Sequence, residues 1–151
     1  MSLLAVAAWC LVVAVSDGDT LTLQCQKTPG AAPLRVRVAD IDAPERKQAY
    51  GLRARDRLRA LCLRQPARMT PVDRDSYGRT VARVECRGQD VARAQVGAGM
   101  AWVYPHAPRT PDPALQPLQQ RARQAQQGLW SQPRPQPPWV YRQRHGAQGR
   151  G

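Results

Sequence analysis

Cys10-Leu11-Val12-Val13-Ala14-Val15-Ser16-Asp17-Gly18-Asp19-Thr20-Leu21-Thr22-Leu23-Gln24-Cys25 is the stretch from which the rest of the chain is best read. Valine, leucine and threonine surround an Asp-Gly pair, a strong short-range hairpin signal. Two antiparallel strands, at 10–16 and 19–25, are therefore expected to open the domain. A two-residue turn at Asp17-Gly18 sets Ser16 opposite Asp19 and, counting outward, Cys10 opposite Cys25. Opposed Cα atoms lie about 4.5–5.5 Å apart, a spacing that a disulfide spans. Of the four cysteines, Cys62 and Cys86 then remain to pair with each other, four reduced thiols being the alternative. A zinc site is disfavoured, because the chain has no Cys-x-x-Cys and only two histidines. Disulfides would imply an oxidising compartment.

Downstream, Leu34-Arg35-Val36-Arg37-Val38-Ala39-Asp40 alternates strictly, which sends the valines to one face of a strand and the arginines to the other. After Pro44, residues 49–63 carry Ala54, Leu58, Leu61 and Cys62 at helical spacing, with arginine on the outer face. Residues 67–72 and 79–86 read as two more strands around a turn containing Asp73, Asp75 and Gly78. Asp90 is placed to N-cap a short helix over 91–98, and Pro113 opens a last helix that Gly128 is expected to close. The reading is an α+β domain, a five-stranded barrel of the oligonucleotide-binding type with three helices, spanning 10–130. Residues 131–151, with Pro133, Pro135, Pro137 and Pro138, are expected to form an extended or disordered extension in which Trp139 and Tyr141 dock back on the body.

Twenty-three Lys and Arg against eleven Asp and Glu give a net charge of +12, almost all of the positive charge being arginine, so an anionic partner is expected. Residues 1–9 are apolar, read either as the end of a leader or as an extension of the first strand, and are too short to span a bilayer. With the cysteine pairing they point to a secreted or periplasmic protein. No stable protein partner is expected, and a monomer is.

Three clusters carry the chemistry: Asp17-Gly18-Asp19-Thr20, Arg37 through Asp42-Ala43-Pro44-Glu45, and Asp75-Ser76-Tyr77-Gly78-Arg79. Together they offer two carboxylates for a metal, a third for proton transfer and two arginines for a phosphate. Hydrolysis of a phosphodiester needs such a kit, since the anionic diester repels hydroxide until charge is neutralised beside it. Arginine suits the task because its planar fork makes two parallel hydrogen bonds to phosphate oxygens. An isolated Asp-Gly-Asp is ordinarily turn chemistry, and Asp17 is read that way or as a water-mediated partner of the site. Asp40 is expected to pair with a nearby arginine, and Tyr77 to be structural. Tyr104, and with less support Trp102, are placed to stack on a base. His106 and His145 receive no role.

These clusters, in this order and with Gly128-Leu129-Trp130 beyond them, resemble the staphylococcal-nuclease-like (thermonuclease) family from about Val12 to Trp130. The resemblance implies a five-stranded oligonucleotide-binding barrel with three helices and calcium-dependent cleavage of DNA and RNA to 3′-phosphate ends. By the same resemblance, Asp19 and Asp42 supply carboxylates to Ca2+ and Ala43 a backbone carbonyl. Glu45 is the general base for the attacking water, and Arg37 and Arg79 grip the phosphate. The chain departs from the family pattern in having alanine at position 43 where threonine is common, Ser76 where a lysine is known, and a shorter loop between Glu45 and Gly51. A non-catalytic barrel that binds nucleic acid is the alternative from another class.

Overall fold

The computed structural model describes residues 6–146. The opening hairpin forms, with β1 at Ala8–Asp17 and β2 at Thr20–Gln24. Its turn is Gly18-Asp19 rather than Asp17-Gly18, because Asp17 pairs with Thr20. Two irregularities in the ladder, between Val12 and Ala14 and between Val15 and Asp17, then shift the register so that Leu11 faces Gln24. The expected opposition of Cys10 and Cys25 is thus restored by bulges that the residue count did not contain. Both disulfides are present: Cys10–Cys25, with Cα atoms 4.2 Å apart, and Cys62–Cys86, at 5.4 Å. Ala8 and Trp9 begin β1, so this part of the apolar start extends the first strand; residues 1–5 lie outside the described residues.

β3 (Leu34–Val38) pairs antiparallel with β2, while β5 (Pro66–Arg74) and β6 (Thr80–Cys86) follow β1 in an antiparallel run. The barrel closes where β3 meets β6 in parallel, Val36 opposite Thr80 and Val38 opposite Ala82. This is the α+β, five-stranded barrel read from the sequence. Pro71, which has no N–H for the ladder, stands at the one register shift of the β5–β6 pair. Between β3 and β5 lie β4 (Ile41–Asp42) and α1 (Gly51–Cys62), and after β6 come β7 (Gln89–Asp90), α2 (Val91–Gly97) and β8 (Trp102–Val103). Asp90 caps α2 as expected, its carboxylate accepting from the Arg93 N–H.

Val12, Leu21, Leu23, Val36 and Val84 of the strands are fully buried, and Leu58 of α1 and Val91 and Val96 of α2 join them in one core. Each such side chain stabilises the fold by roughly 1.5–3 kcal/mol relative to exposure. α3 (Leu115–Gln124) adds Leu115 to the same core. Gln126, at φ 53°, ends this last turn instead of Gly128. Gly128 opens a 3-10 turn, Gly128–Ser131, whose backbone lies against Gly99. A Cβ on Gly128 would stand 2.3 Å from the Gly99 carbonyl oxygen, so neither glycine has room for a side chain there.

The C-terminal segment departs from expectation. Residues 132–137 hold neither helix nor strand, but a fourth helix, α4 (Pro138–His145), follows. Pro138 sits in its first turn, where the missing N–H costs nothing and the fixed φ is already helical. Trp139 gives the helix a docking side chain, making edge contacts with Trp102, Tyr104 and His106 at 5.6–6.0 Å between ring centroids. Proline content argues for extension, and the ring contacts of half-buried Trp139 override it over eight residues. No helix among the described residues is long and apolar enough to cross a membrane.

Candidate active site

Asp19 is delivered by the β1–β2 turn. Gly18 permits the approach, since a Cβ there would fall 2.6 Å from the Ala54 Cβ and 2.9 Å from the Ala43 Cβ. Buried Gln95 of α2 fastens the same turn, donating to the carbonyls of Gly18 at 2.8 Å and Ala54 at 3.0 Å. Asp19 itself accepts from the Ala43 N–H at 2.8 Å and from the Thr20 hydroxyl at 2.8 Å. Asp42 comes from β4, whose short antiparallel pairing with β8 sets Asp42 opposite Trp102. The acidic group is thereby tied to the segment that carries Tyr104.

Arg37 joins the two carboxylates. From the polar side of β3 its Nη1 lies 2.9 Å from Asp19 Oδ2 and its Nη2 donates to Asp42 Oδ1 at 3.1 Å. Burial opposes its charge, but attraction by Asp19 and then Asp42 outweighs this and raises the Arg37 pKa above its ordinary value. Glu45, also buried, rides on a tight turn in which Gln48 N–H donates to the Glu45 carbonyl at 2.8 Å and Glu45 N–H donates to Gln48 Oε1 at 3.1 Å. Arg79 follows a turn organised by Asp75, which accepts from the N–H groups of Tyr77 and Arg79 and from Arg79 Nε at 2.7 Å. These bonds from Arg79 and Tyr77 overcome partial burial and hold the Asp75 carboxyl below its ordinary pKa.

Asp19, Glu45 and Arg79, with Thr20, Arg35 and Ala43, line one recess of about 40 Å3. A larger cleft of about 1090 Å3 continues from it past Arg35, Arg79, Tyr77, Tyr104, His106 and Trp139. Tyr104 borders this cleft, whereas Trp102 packs on Trp130 at 4.4 Å between ring centroids. Asp40 pairs with Arg109 at 3.4 Å, and Asp17 lies 3.8 Å from Arg46 Nε, both outside the Arg37 cluster.

Sequence reasoning missed Arg142. Its Nη2 donates to Asp42 Oδ2 at 2.6 Å, and its Nη1 to Asp42 Oδ1 at 3.1 Å and to Glu45 Oε1 at 2.7 Å. Burial disfavours this cation too, yet the hydrogen bonds and charges of Asp42 and Glu45 prevail and raise its pKa well above the ordinary value. The periodicity of the tail holds no signal for it; Arg35, which also lines the recess and receives no role from the sequence, does have one, the alternation of β3 that sets it on the same face as Arg37. Among the described residues, no group of three or more histidine, cysteine, aspartate or glutamate side chains is arranged to hold a metal ion. What the mouth of the barrel does assemble is oxygen-rich: two carboxylates sharing a cation, with a third carboxylate beside them.

Residues 35–132 match the family described as staphylococcal nuclease homologue. An uncharacterized endonuclease of Escherichia coli O157:H7 is 40% identical over 134 residues, covering 88% of this chain and 84% of that protein. A micrococcal nuclease of Shigella flexneri is 38% identical over 140 residues, 87% of this chain and 78% of its own length. An uncharacterized endonuclease of Haemophilus influenzae is 37% identical over 133 residues, covering 88% and 72%. A matched stretch that runs from β3 to the 3-10 turn, and relatives aligned over most of both lengths, place this chain in the staphylococcal nuclease family, whose membership supports a nuclease activity.

Proposed function

We propose that the protein is a calcium-dependent phosphodiesterase that hydrolyses DNA and RNA with low sequence specificity, leaving 3′-phosphate ends. The observation that carries this reading is the single guanidinium of Arg37 shared by Asp19 and Asp42. Two carboxylates that already hold one cation between them, beside the backbone of Ala43, form a hard-oxygen donor set of the kind calcium accepts. Three acidic side chains are not required, because water and phosphate oxygens complete such a shell. Bound there by Asp19, Asp42 and the Ala43 carbonyl, calcium would supply charge neutralisation at the diester.

The chain's own groups do the rest. Glu45 takes a proton from water as the water oxygen adds to phosphorus; the bond from phosphorus to the 5′-oxygen breaks, that oxygen takes a proton from solvent water, and Glu45 returns its own proton to solvent. Arg37 and Arg79 stabilise the charge that builds on the phosphoryl oxygens. Tyr104 offers a ring to a flanking base in the cleft, a contact that carries no base code. The net charge of +12 draws the polyanion to the mouth. Two disulfides are consistent with an oxidising, extracytoplasmic setting, and on this reading the enzyme is secreted or periplasmic.

Plasmid, single-stranded DNA and RNA incubated with calcium, magnesium or chelator test the proposal. Calcium should support degradation and chelator abolish it. Glu45→Gln should keep nucleic-acid binding while slowing cleavage by about 10²-fold or more, the scale of a lost general base. Wild-type rates in this variant would remove Glu45 from the mechanism. The guanidinium of Arg142 on Asp42 and Glu45 favours a second reading, a barrel that binds nucleic acid without cutting it. Binding with no cleavage under any metal condition would select that reading.

A further inference from the structure

Arg142 grips one of the two carboxylates that the metal reading assigns to a cation. Both oxygens of Asp42 are engaged, Oδ1 by Arg37 and Arg142 and Oδ2 by Arg142 at 2.6 Å, and the same guanidinium takes Glu45 Oε1 at 2.7 Å. Calcium binds oxygen at about 2.3–2.6 Å. Arg37 and Arg142 together take three of the roughly four lone-pair sites of Asp42, so a dication at that distance would share the carboxylate with a like charge. The two cations therefore compete for this carboxylate.

The helix that brings Arg142 is held to the barrel by contacts separate from the acidic group. Trp139 makes edge contacts with Trp102, Tyr104 and His106. Gln48, whose side chain also braces the Glu45 turn, donates to the Gln136 carbonyl at 2.6 Å. The Tyr50 and Ser131 hydroxyls meet at 2.8 Å. Trp139 and Arg142 are three residues apart, hence on one face of α4. This face carries an anchor and a long flexible cation, so the cation can leave while the anchor stays, with the adjoining cleft giving the side chain room.

We propose that Arg142 is an internal cation that competes with the metal for Asp42, so that the C-terminal helix sets the affinity of the site for calcium. The inference rests on the calcium reading of Asp19 and Asp42 given above. It assigns a role to a residue that lies beyond the 35–132 family match.

Calcium binding to the intact chain, followed by titration calorimetry, compares wild type with Arg142→Gln and with Arg144→Gln. Arg144 is an exposed arginine of the same helix and controls for loss of one positive charge. Arg142→Gln should bind calcium about tenfold more tightly, the equilibrium worth of one charge-assisted hydrogen bond, with Arg144→Gln close to wild type. In the wild type, saturating calcium should also move the Arg142 side-chain Nε–H resonance to the position of a free arginine. Equal affinities in all three proteins, equal tightening by both substitutions, or an Arg142 resonance that ignores calcium would each overturn the competition. Calcium binding by none of the three would instead remove the calcium reading, and the competition with it.

Discussion

Arg37 and Arg142 place guanidiniums on the same carboxylate, but the two regions that carry them are built differently. Arg37 belongs to the barrel mouth: its backbone is fixed in β3 between two neighbouring strands, and its side chain is 11% exposed. Arg142 belongs to the C-terminal arm, on an eight-residue helix, with a side chain 19% exposed. Isolated helices shorter than about 12–15 residues are marginal in water, so α4 depends on its docking contacts. The difference teaches that the mouth is wired for permanence and the arm for exchange. Arg37→Gln would test this most severely, because it strips the buried Asp19 of the guanidinium 2.9 Å away. Removing one partner of a buried ion pair costs about 3–5 kcal/mol. Arg142→Gln removes hydrogen bonds to Asp42 and Glu45 but leaves Asp42 still paired with Arg37, and should cost less, about 1.5 kcal/mol. Denaturant unfolding of both variants measures the gap, and comparable losses would break the distinction between mouth and arm.

The disulfides sharpen the same contrast, since both lie in the body and none in the arm. Cys10–Cys25 ties the outer end of the opening hairpin, and Cys62–Cys86 ties the end of α1 to β6, across sequence separations of 15 and 24. Loops of this size restrict the unfolded chain by roughly 3 kcal/mol per bridge. Replacing Cys62 and Cys86 together by alanine should lower the unfolding free energy by about that amount while α4 stays docked, which Trp139 contact shifts in NMR spectra would report. Undocking of the arm at a denaturant concentration where the double variant is still folded would show that the bridge also supports the arm.

The barrel was legible, and so were the elements that carry Asp19 and Arg37, because they rest on local rules. Alternation in Leu34–Val38 gave the polar face that carries Arg37, helical spacing gave α1, and the Asp-Gly signal located the hairpin that delivers Asp19. The cysteine pairing was also legible, though the count reached it from a turn placed one residue early, and the bulges in β1 supplied the compensation. What resisted reading depends on contacts far apart in sequence. Gln95 is an ordinary polar residue until the fold sets it between the Gly18 and Ala54 carbonyls. Gln48 bridges the Glu45 turn and the arm across a separation of 88 residues. Arg142 sits in a proline-rich stretch whose composition argued for extension, and it becomes meaningful only when Trp139 finds the aromatic pocket. Composition reports what a segment does alone, and this one is folded by a surface it does not contain.

The smallest expected effect concerns Arg79, another arginine of the mouth, which hangs on a turn rather than a strand ladder and so falls between the two regions. Asp75 organises that turn through three hydrogen bonds and is held below its ordinary carboxylate pKa by Arg79 and Tyr77. A carboxyl depressed in the folded state stabilises the protein fully above its unfolded pKa, and the contribution disappears as pH falls through the lower folded value. Asp75→Asn should therefore be less stable than wild type by a constant margin at neutral and mildly acidic pH, and the margin should shrink only below about pH 4, where the unfolded carboxyl gains its proton. The margin is small because Asp75 is partly exposed and water screens the pair. Unfolding curves of the two proteins across pH measure it. If the margin instead closed between pH 5 and 7, Asp75 would not be the group that fixes Arg79, and the turn would owe its shape to the left-handed Gly78 at φ 80° and to the contact of Arg79 with the Tyr77 ring.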